Sequence, residues 1–249
     1  MPPTPPETTA PAQTAVPEVA EVAIPFADLR LDPPMVARAL GYGDGVVPEP
    51  FEALLVDVLR EAANRVELTG GYVLQPVPPD AVDEDGFSVD GLRFDAGRII
   101  ALGLRNADAL AFYLVTAGAG YHEWAQAVAA TGDPFRACLI DALGSEMVEC
   151  GADRLRDDLE ARLTERGWQA SARYGPGYCD WKLAEQHQVF AFFPPGFCGV
   201  TLGESAIMQP MKSVSGVFAL GSRVKRRASG CSICTMENCF RRDKRISQA

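Results

Sequence analysis

The chain has 249 residues, of which 47% are hydrophobic and 22% charged, a composition typical of a soluble globular protein. A formal net charge of −10 argues against nucleic acid as the main partner, and the sequence contains no apolar run of about 18 residues that would predict a membrane span. Residues 1–20 lack a basic segment followed by an apolar one, so we expect no secretory signal and a cytoplasmic protein.

Basic side chains and cysteines are concentrated at the C-terminal end of the chain. Residues 223–249 carry eight basic and two acidic side chains, whereas residues 1–222 carry 15 basic and 31 acidic ones. This basic segment could contact a phosphate, an acidic protein surface or the acidic body itself, and a solvated tail is the simpler alternative. Three of the seven cysteines fall within nine residues of it, which is unlike a secreted disulfide framework.

Three regions are predicted along the chain. Residues 1–21 are rich in Pro, Thr, Ala and Glu, which cannot bury enough apolar surface to offset chain entropy, so we expect them to be disordered. Residues 22–222 form one folded domain, and residues 223–249 form a basic, cysteine-rich tail.

Hydrophobic periodicity and turn residues place the elements within the folded domain. In chain order they are a helix over 49–65 that ends at Gly70-Gly71, a strand over 71–77, a hairpin over 87–94, a helix over 95–105 and a strand over 109–116. Helices over 121–130 and 134–166, a strand over 169–174, a helix over 183–193 and a strand over 214–220 follow. Helices and strands do not alternate strictly, so we predict an α+β domain with a mainly antiparallel sheet.

A glycine-rich turn over residues 115–120 connects a predicted strand to a predicted helix. Such a turn can present backbone amides to a phosphate, but the third glycine of a dinucleotide fingerprint is missing. The sequence also lacks the second strand that would follow and end in an acidic residue to hold a ribose. An ordinary strand-to-helix turn is favoured, and a doubly wound methyltransferase is the weakest hypothesis for the chain.

Two further stretches carry candidate site residues. The first, RYGPGYCDW over 173–181, ends a strand in a turn where glycines permit close backbone approach, Arg173 can pair with a carboxylate, and Tyr178 and Trp181 can offer a face to a purine. The second, TLGESAIMQPMKSVSG over 201–216, is a polar loop leading into a strand. Taken singly, each is also consistent with an ordinary structural turn.

Together these stretches resemble the reactivation domain of vitamin B12-dependent methionine synthase. The resemblance rests on R-x-x-P-G-Y followed by L-x-E-S-x-x-M-x-P-x-x-S-V-S-G, and on the preceding helical segment LGSEMVE over 143–149. It covers about residues 140–220. It implies a single domain with a bent, mainly antiparallel sheet flanked by helices.

The resemblance also implies a function and a site. The expected function is binding S-adenosylmethionine and supporting the reductive methylation of an inactive corrinoid. Arg173 would pair with the methionine carboxylate, Glu149 or Glu204 would bind the amino group, and the Pro176–Tyr178 turn would hold the adenosine. The predicted cofactor-binding residues are Glu149, Arg173, Pro176, Gly177, Tyr178, Glu204 and Ser205.

The chain lacks the D-x-H-x-x-G motif that binds cobalamin. The corrinoid would therefore be supplied by a partner, either a corrinoid protein or a methionine synthase core, with a separate electron donor. The tyrosine-bearing strand that the resemblance implies after S-V-S-G is replaced in this sequence by Ala219-Leu220-Gly221-Ser222 and the basic tail. An alternative is a non-catalytic docking protein for a corrinoid protein, with a metal-bound cysteine tail.

Cys231, Cys234 and Cys239 are spaced as thiolates that could clamp a soft metal. Three sulfurs would suit an iron–sulfur cluster with one open iron, or zinc with a fourth ligand such as Cys179, Cys198 or a partner's side chain. If the tail carried an iron–sulfur cluster, it could accept the electron needed for the reductive methylation. A chance grouping of free thiols is the alternative.

Overall fold

The computed structural model describes residues 18–49 and 51–226. Its strands are β1 (Glu18–Pro25), β2 (Glu67–Pro76), β3 (Phe87–Val89), β4 (Leu92–Phe94), β5 (Ala109–Thr116), β6 (Gln169–Ala170), β7 (Thr201–Leu202), β8 (Met208–Gln209) and β9 (Ser213–Gly221). Its α-helices are α1 (Pro33–Ala39), α2 (Phe51–Arg65), α3 (Gly97–Leu104), α4 (Gly118–Ala130), α5 (Pro134–Leu163) and α6 (Gln186–Phe190).

Five strands form one sheet in the order β1-β2-β5-β9-β6, and every neighbouring pair is antiparallel. The hairpins β3–β4 and β7–β8 lie outside this sheet. The α+β domain with a mainly antiparallel sheet, predicted from the sequence, is confirmed.

The sheet separates two hydrophobic cores. Because side chains alternate along a strand, Tyr113 and Val115 of β5 face the core under α1, α2, α4 and α5. Phe112 and Leu114 face the second core, which is closed by β3, β4, α3 and the segment around α6. Every residue of β5 is buried, which explains why this strand reads as a continuous apolar run.

The folded domain begins earlier than the sequence predicted, with a strand that the sequence analysis did not predict. β1 starts at Glu18, so residues 18–21, which were assigned to a disordered N-terminus, pair with β2. Tyr72 and Arg162 both donate to the Glu18 carboxylate, at 2.8 and 2.7 Å, and fix this end of the strand. The expectation for residues 1–17 falls outside the described part of the chain.

Gly70 and Gly71 do not end a helix, as predicted, but lie within β2. A Cβ at Gly71 would come within 2.5 Å of the Phe197 ring, and one at Gly70 within 2.7 Å of Ile24. These glycines therefore let neighbouring elements approach the sheet closely.

The strand predicted over 169–174 is interrupted. Only Gln169–Ala170 is regular, and the Ser171 hydroxyl then accepts the Ala219 amide hydrogen at 2.9 Å. Tyr174 rejoins β9 through two backbone hydrogen bonds with Val217. This path carries Arg173 and the following turn to the edge of the helix layer.

Candidate functional site

An open cleft of about 490 Å³ lies between the C-terminal end of α1, one face of α5 and the segment that enters β9. Its described lining residues are Ala39, Leu40, Cys138, Asp141, Ala142, Ser145, Glu146, Val148, Glu149, Tyr178, Met211, Lys212, Ser213 and Val214. The volume is in the range of small-molecule sites, and the lining combines apolar side chains with a few charged ones.

Helix α5 supplies one whole wall of the cleft. Pro134 occupies its first turn, and the Asp133 carboxylate caps it by accepting the Arg136 amide hydrogen at 2.9 Å. Asp141, Ser145 and Glu149 follow at intervals of four residues, so they share one face of the helix. The helix thus presents a row of polar side chains to the cleft.

Arg173 is held behind this wall by three groups. Its Nε donates to Asp153 Oδ1 at 2.9 Å, its Nη1 to the Tyr113 hydroxyl at 3.1 Å, and its Nη2 to Glu149 Oε2 at 3.1 Å. The side chains of Arg173 and Glu149 are only 11% and 15% exposed. Arg173 does not line the cleft, whereas Glu149 does.

Burial and charge act in opposite directions on this group. Burial alone would lower the pKa of Arg173, but the negative charges of Glu149 and Asp153 act in the other direction, and that pKa is raised well above its ordinary value. Burial also raises the pKa of Tyr113. Arg173 therefore stays cationic and Tyr113 stays a neutral hydroxyl at physiological pH.

The turn after Arg173 delivers Tyr178 to the cleft. The Tyr178 hydroxyl donates to Glu149 Oε1 at 3.1 Å, so both oxygens of the Glu149 carboxylate have a donor. Gly177 has a φ of +90°, a backbone conformation that favours glycine. A Cβ at Gly175 would come within 2.6 Å of the Ser215 carbonyl oxygen, so this turn must pass directly over β9.

Trp181, expected to face a purine, is a core residue. It is 1% exposed and makes edge contacts with Phe87 and Phe94, and its indole N–H donates to Glu185 at 2.9 Å. The prediction of a Trp181 stacking face is therefore wrong, because the turn directs this ring into the second core.

The structure does not bring all of the predicted site residues together. Glu149 and Tyr178 line the cleft, Arg173 supports Glu149, and Pro176 is buried in the turn next to the exposed Gly177. Glu204 and Ser205 are exposed on the separate turn between β7 and β8, where the Glu204 carbonyl oxygen contacts His187 Nε2 at 3.2 Å. The ligand-binding role of all seven stays a prediction.

Comparison with known proteins decides the family. The family model for the vitamin B12 dependent methionine synthase activation domain matches residues 99–226, a little over half of the chain. The chain belongs to this family. The resemblance inferred from the motifs over residues 140–220 is thereby confirmed.

This activation domain also shares its fold with a solved structure, the MetH reactivation domain bound to AdoHcy. The two superpose with a TM-score of 0.61 over 85% of this chain and 80% of the other, at 18% sequence identity. Among curated proteins, none matches the chain.

Three functional candidates in the activation domain were missed by the sequence analysis. Asp153 is four residues after Glu149 on α5, a spacing that could have predicted their shared contact with Arg173. The contact of Tyr113 with Arg173 could not be predicted from the sequence, because Tyr113 lies within a continuous apolar run that indicates only a buried strand. Lys212 lies within the quoted motif, but nothing in the motif indicated that its side chain lines the cleft.

The predicted metal ligands Cys231, Cys234 and Cys239 lie outside the described residues. Within residues 18–49 and 51–226, no three His, Cys, Asp or Glu side chains are grouped to hold a metal ion. Cys198, considered as a fourth ligand, is buried in the second core, and burial raises the pKa of its thiol to about 12. No helix in the same part of the activation domain is long and apolar enough to cross a membrane.

Proposed function

We propose that this activation domain binds S-adenosylmethionine in the cleft and supports the reductive methylation of a corrinoid carried on another chain. The observation that carries the proposal is the Glu149 carboxylate, which lines the cleft and is oriented by Arg173 and Tyr178. The family membership and the AdoHcy-bound relative of the same fold give independent support.

The cleft residues fit such a ligand. S-adenosylmethionine carries an ammonium and a sulfonium, which carboxylates attract, and the described lining includes Asp141, Glu146 and Glu149. Leu40, Met211 and other apolar side chains offer a surface for the adenine and ribose.

The residues of this chain would act by positioning. Glu149 would accept the ammonium, because its carboxylate is already fixed from behind and loses little freedom on binding. Tyr178 and Met211, which both line the cleft, would contact the nucleoside. When bound, the ligand would supply the methyl group for the corrinoid of the partner chain, and a separate donor would supply one electron.

Holding the methyl group in one orientation at the open side of the cleft gives catalysis without an acid or base from this chain. The open side admits a corrinoid protein or a methionine synthase core as partner. An iron–sulfur cluster or zinc at the tail cysteines, and electron entry there, stay predictions for residues outside the described part.

The experiment is calorimetric titration of the full chain with S-adenosylmethionine. We expect saturable binding that Glu149→Gln weakens at least tenfold, because the substitution removes the charge while keeping the shape. Glu123→Gln, on the exposed face of α4, is the matched control and should bind like the wild type.

Two results would contradict the proposal. Absence of saturable binding to the wild type would favour the alternative of a docking protein that contacts a corrinoid protein without this ligand. Equal binding by wild type and Glu149→Gln would place the ligand elsewhere.

A further inference from the structure

Lys212 is fixed at both ends. Its Nζ lies 2.7 Å from Asp141 Oδ1 and donates to the Ser145 hydroxyl at 3.0 Å. Its carbonyl oxygen accepts the Ala117 amide hydrogen at 2.9 Å, which anchors the backbone to the end of β5. The side chain is 17% exposed, so a long, flexible lysine is held here in one orientation.

The described lining of the cleft contains one cationic side chain, and it is Lys212. Arg173, to which the sequence analysis gave the carboxylate of the ligand, lies behind Glu149 with each of its three nitrogens bonded within the protein. The Lys212 ammonium has three N–H donors, and Asp141 and Ser145 account for two of them in the described contacts.

We propose that Lys212, and not Arg173, receives the carboxylate of the ligand and thereby selects ligands that carry an intact amino-acid group. This inference rests on the proposed function. Lys212 is a specificity-determining residue, and Asp141 and Ser145 are its positioning residues.

The spacing along α5 supports this assignment. Ser145, which contacts Lys212, and Glu149 are four residues apart, about 6 Å or roughly one helical turn. A cation-accepting carboxylate and an anion-accepting ammonium are therefore presented side by side on one wall. An α-amino acid offers the complementary pair, because its ammonium and carboxylate are bonded to the same carbon.

The test compares two ligands on the full chain by calorimetry, S-adenosylmethionine and its decarboxylated analogue. We expect the wild type to bind the carboxylated ligand at least tenfold more tightly. Lys212→Met should remove this preference by weakening only the carboxylated ligand, and Lys212→Arg should restore part of it. Lys182→Met, at an exposed lysine, is the matched control and should retain the full preference.

Other outcomes overturn the inference. If Lys212→Met weakens both ligands equally, the lysine is only structural. If the preference survives in Lys212→Met but is lost in Arg173→Met, the carboxylate belongs to Arg173. Binding of both ligands with equal affinity by the wild type would refute the Lys212 assignment alone, whereas binding of neither would also refute the proposed function.

Discussion

Arg173 and Glu149, 24 residues apart in the sequence, form a largely buried ion pair with an Nη2–Oε2 distance of 3.1 Å. On the cleft side the Tyr178 hydroxyl donates to Glu149, and on the core side the Tyr113 hydroxyl accepts a hydrogen bond from Arg173. The relationship makes Glu149 a preorganised carboxylate and makes Arg173 its support.

This arrangement predicts that Arg173 contributes to stability. Arg173→Ala should lower the free energy of unfolding by about 3 kcal/mol, because it leaves the buried Glu149 carboxylate without its cation. Denaturant unfolding measures the change. Arg98→Ala, at an exposed arginine, is the control, with an expected change within about 0.5 kcal/mol.

A double variant separates the contribution of the ion pair between Arg173 and Glu149 from the other contributions of Arg173 to stability. Removing both charges in Arg173→Ala with Glu149→Gln should cost less than the sum of the single changes, because no buried charge is left alone. Additive losses would show that the pair is not coupled.

Cys138 offers a reporter for occupancy of the cleft. This cysteine is exposed and lines the cleft, so alkylation by iodoacetamide should be fast in the free protein and slower with saturating S-adenosylhomocysteine. Cys150 is buried, and burial raises the pKa of its thiol to about 12, so it should stay unmodified in both samples. Peptide mass spectrometry reads both sites, and an unchanged Cys138 rate at saturation would argue against the cleft.

The crossing of the Tyr174 segment over β9 predicts a strict requirement for glycine at position 216. A Cβ there would overlap the Tyr174 carbonyl oxygen, so Gly216→Ala should destabilise the protein by at least about 2 kcal/mol and weaken ligand binding by displacing Tyr178. Gly120→Ala in α4 meets no atom within 4 Å and should leave stability unchanged or slightly raised. Equal stability of the two variants in thermal unfolding would contradict the described crossing.

The Glu18 ion pair predicts a pH dependence of stability. Hydrogen bonding from Arg162 lowers the pKa of Glu18 below its ordinary value of 4.5. A carboxyl with a lowered pKa stabilises the fold above its unfolded pKa, and this contribution is lost as the pH falls through the folded pKa.

Glu18→Gln should therefore be less stable than the wild type at pH 7, by no more than about 1 kcal/mol because the pair is half-exposed. The difference should shrink as the pH falls below 4.5. Urea unfolding at several pH values checks this, and a difference that is constant with pH would refute the ionic origin.

Much of the fold followed from local sequence pattern. The run over β5 predicted a central strand because both of its faces are buried, and Asp133-Pro134 predicted the start of α5 because cap and first-turn proline act locally. The prediction that Gly70 and Gly71 end a helix was wrong. Their role depends on Ile24 and Phe197, which approach them from distant parts of the chain.

The candidate site was predictable only in part, for the same reason. Motif resemblance located Glu149, Arg173 and Tyr178, but which of them faces the cleft depends on the packing of the turn against α5. The side-chain direction of Lys212 depends on how the segment before β9 passes α5, which residue spacing does not encode.

The most direct measurement is a crystal structure of the full chain grown with S-adenosylhomocysteine. The account predicts ligand density in the cleft, with the amino group at Glu149, the carboxylate at Lys212 and the nucleoside against Tyr178. Ligand bound at another surface, or a cleft that remains empty at saturating ligand, would contradict it.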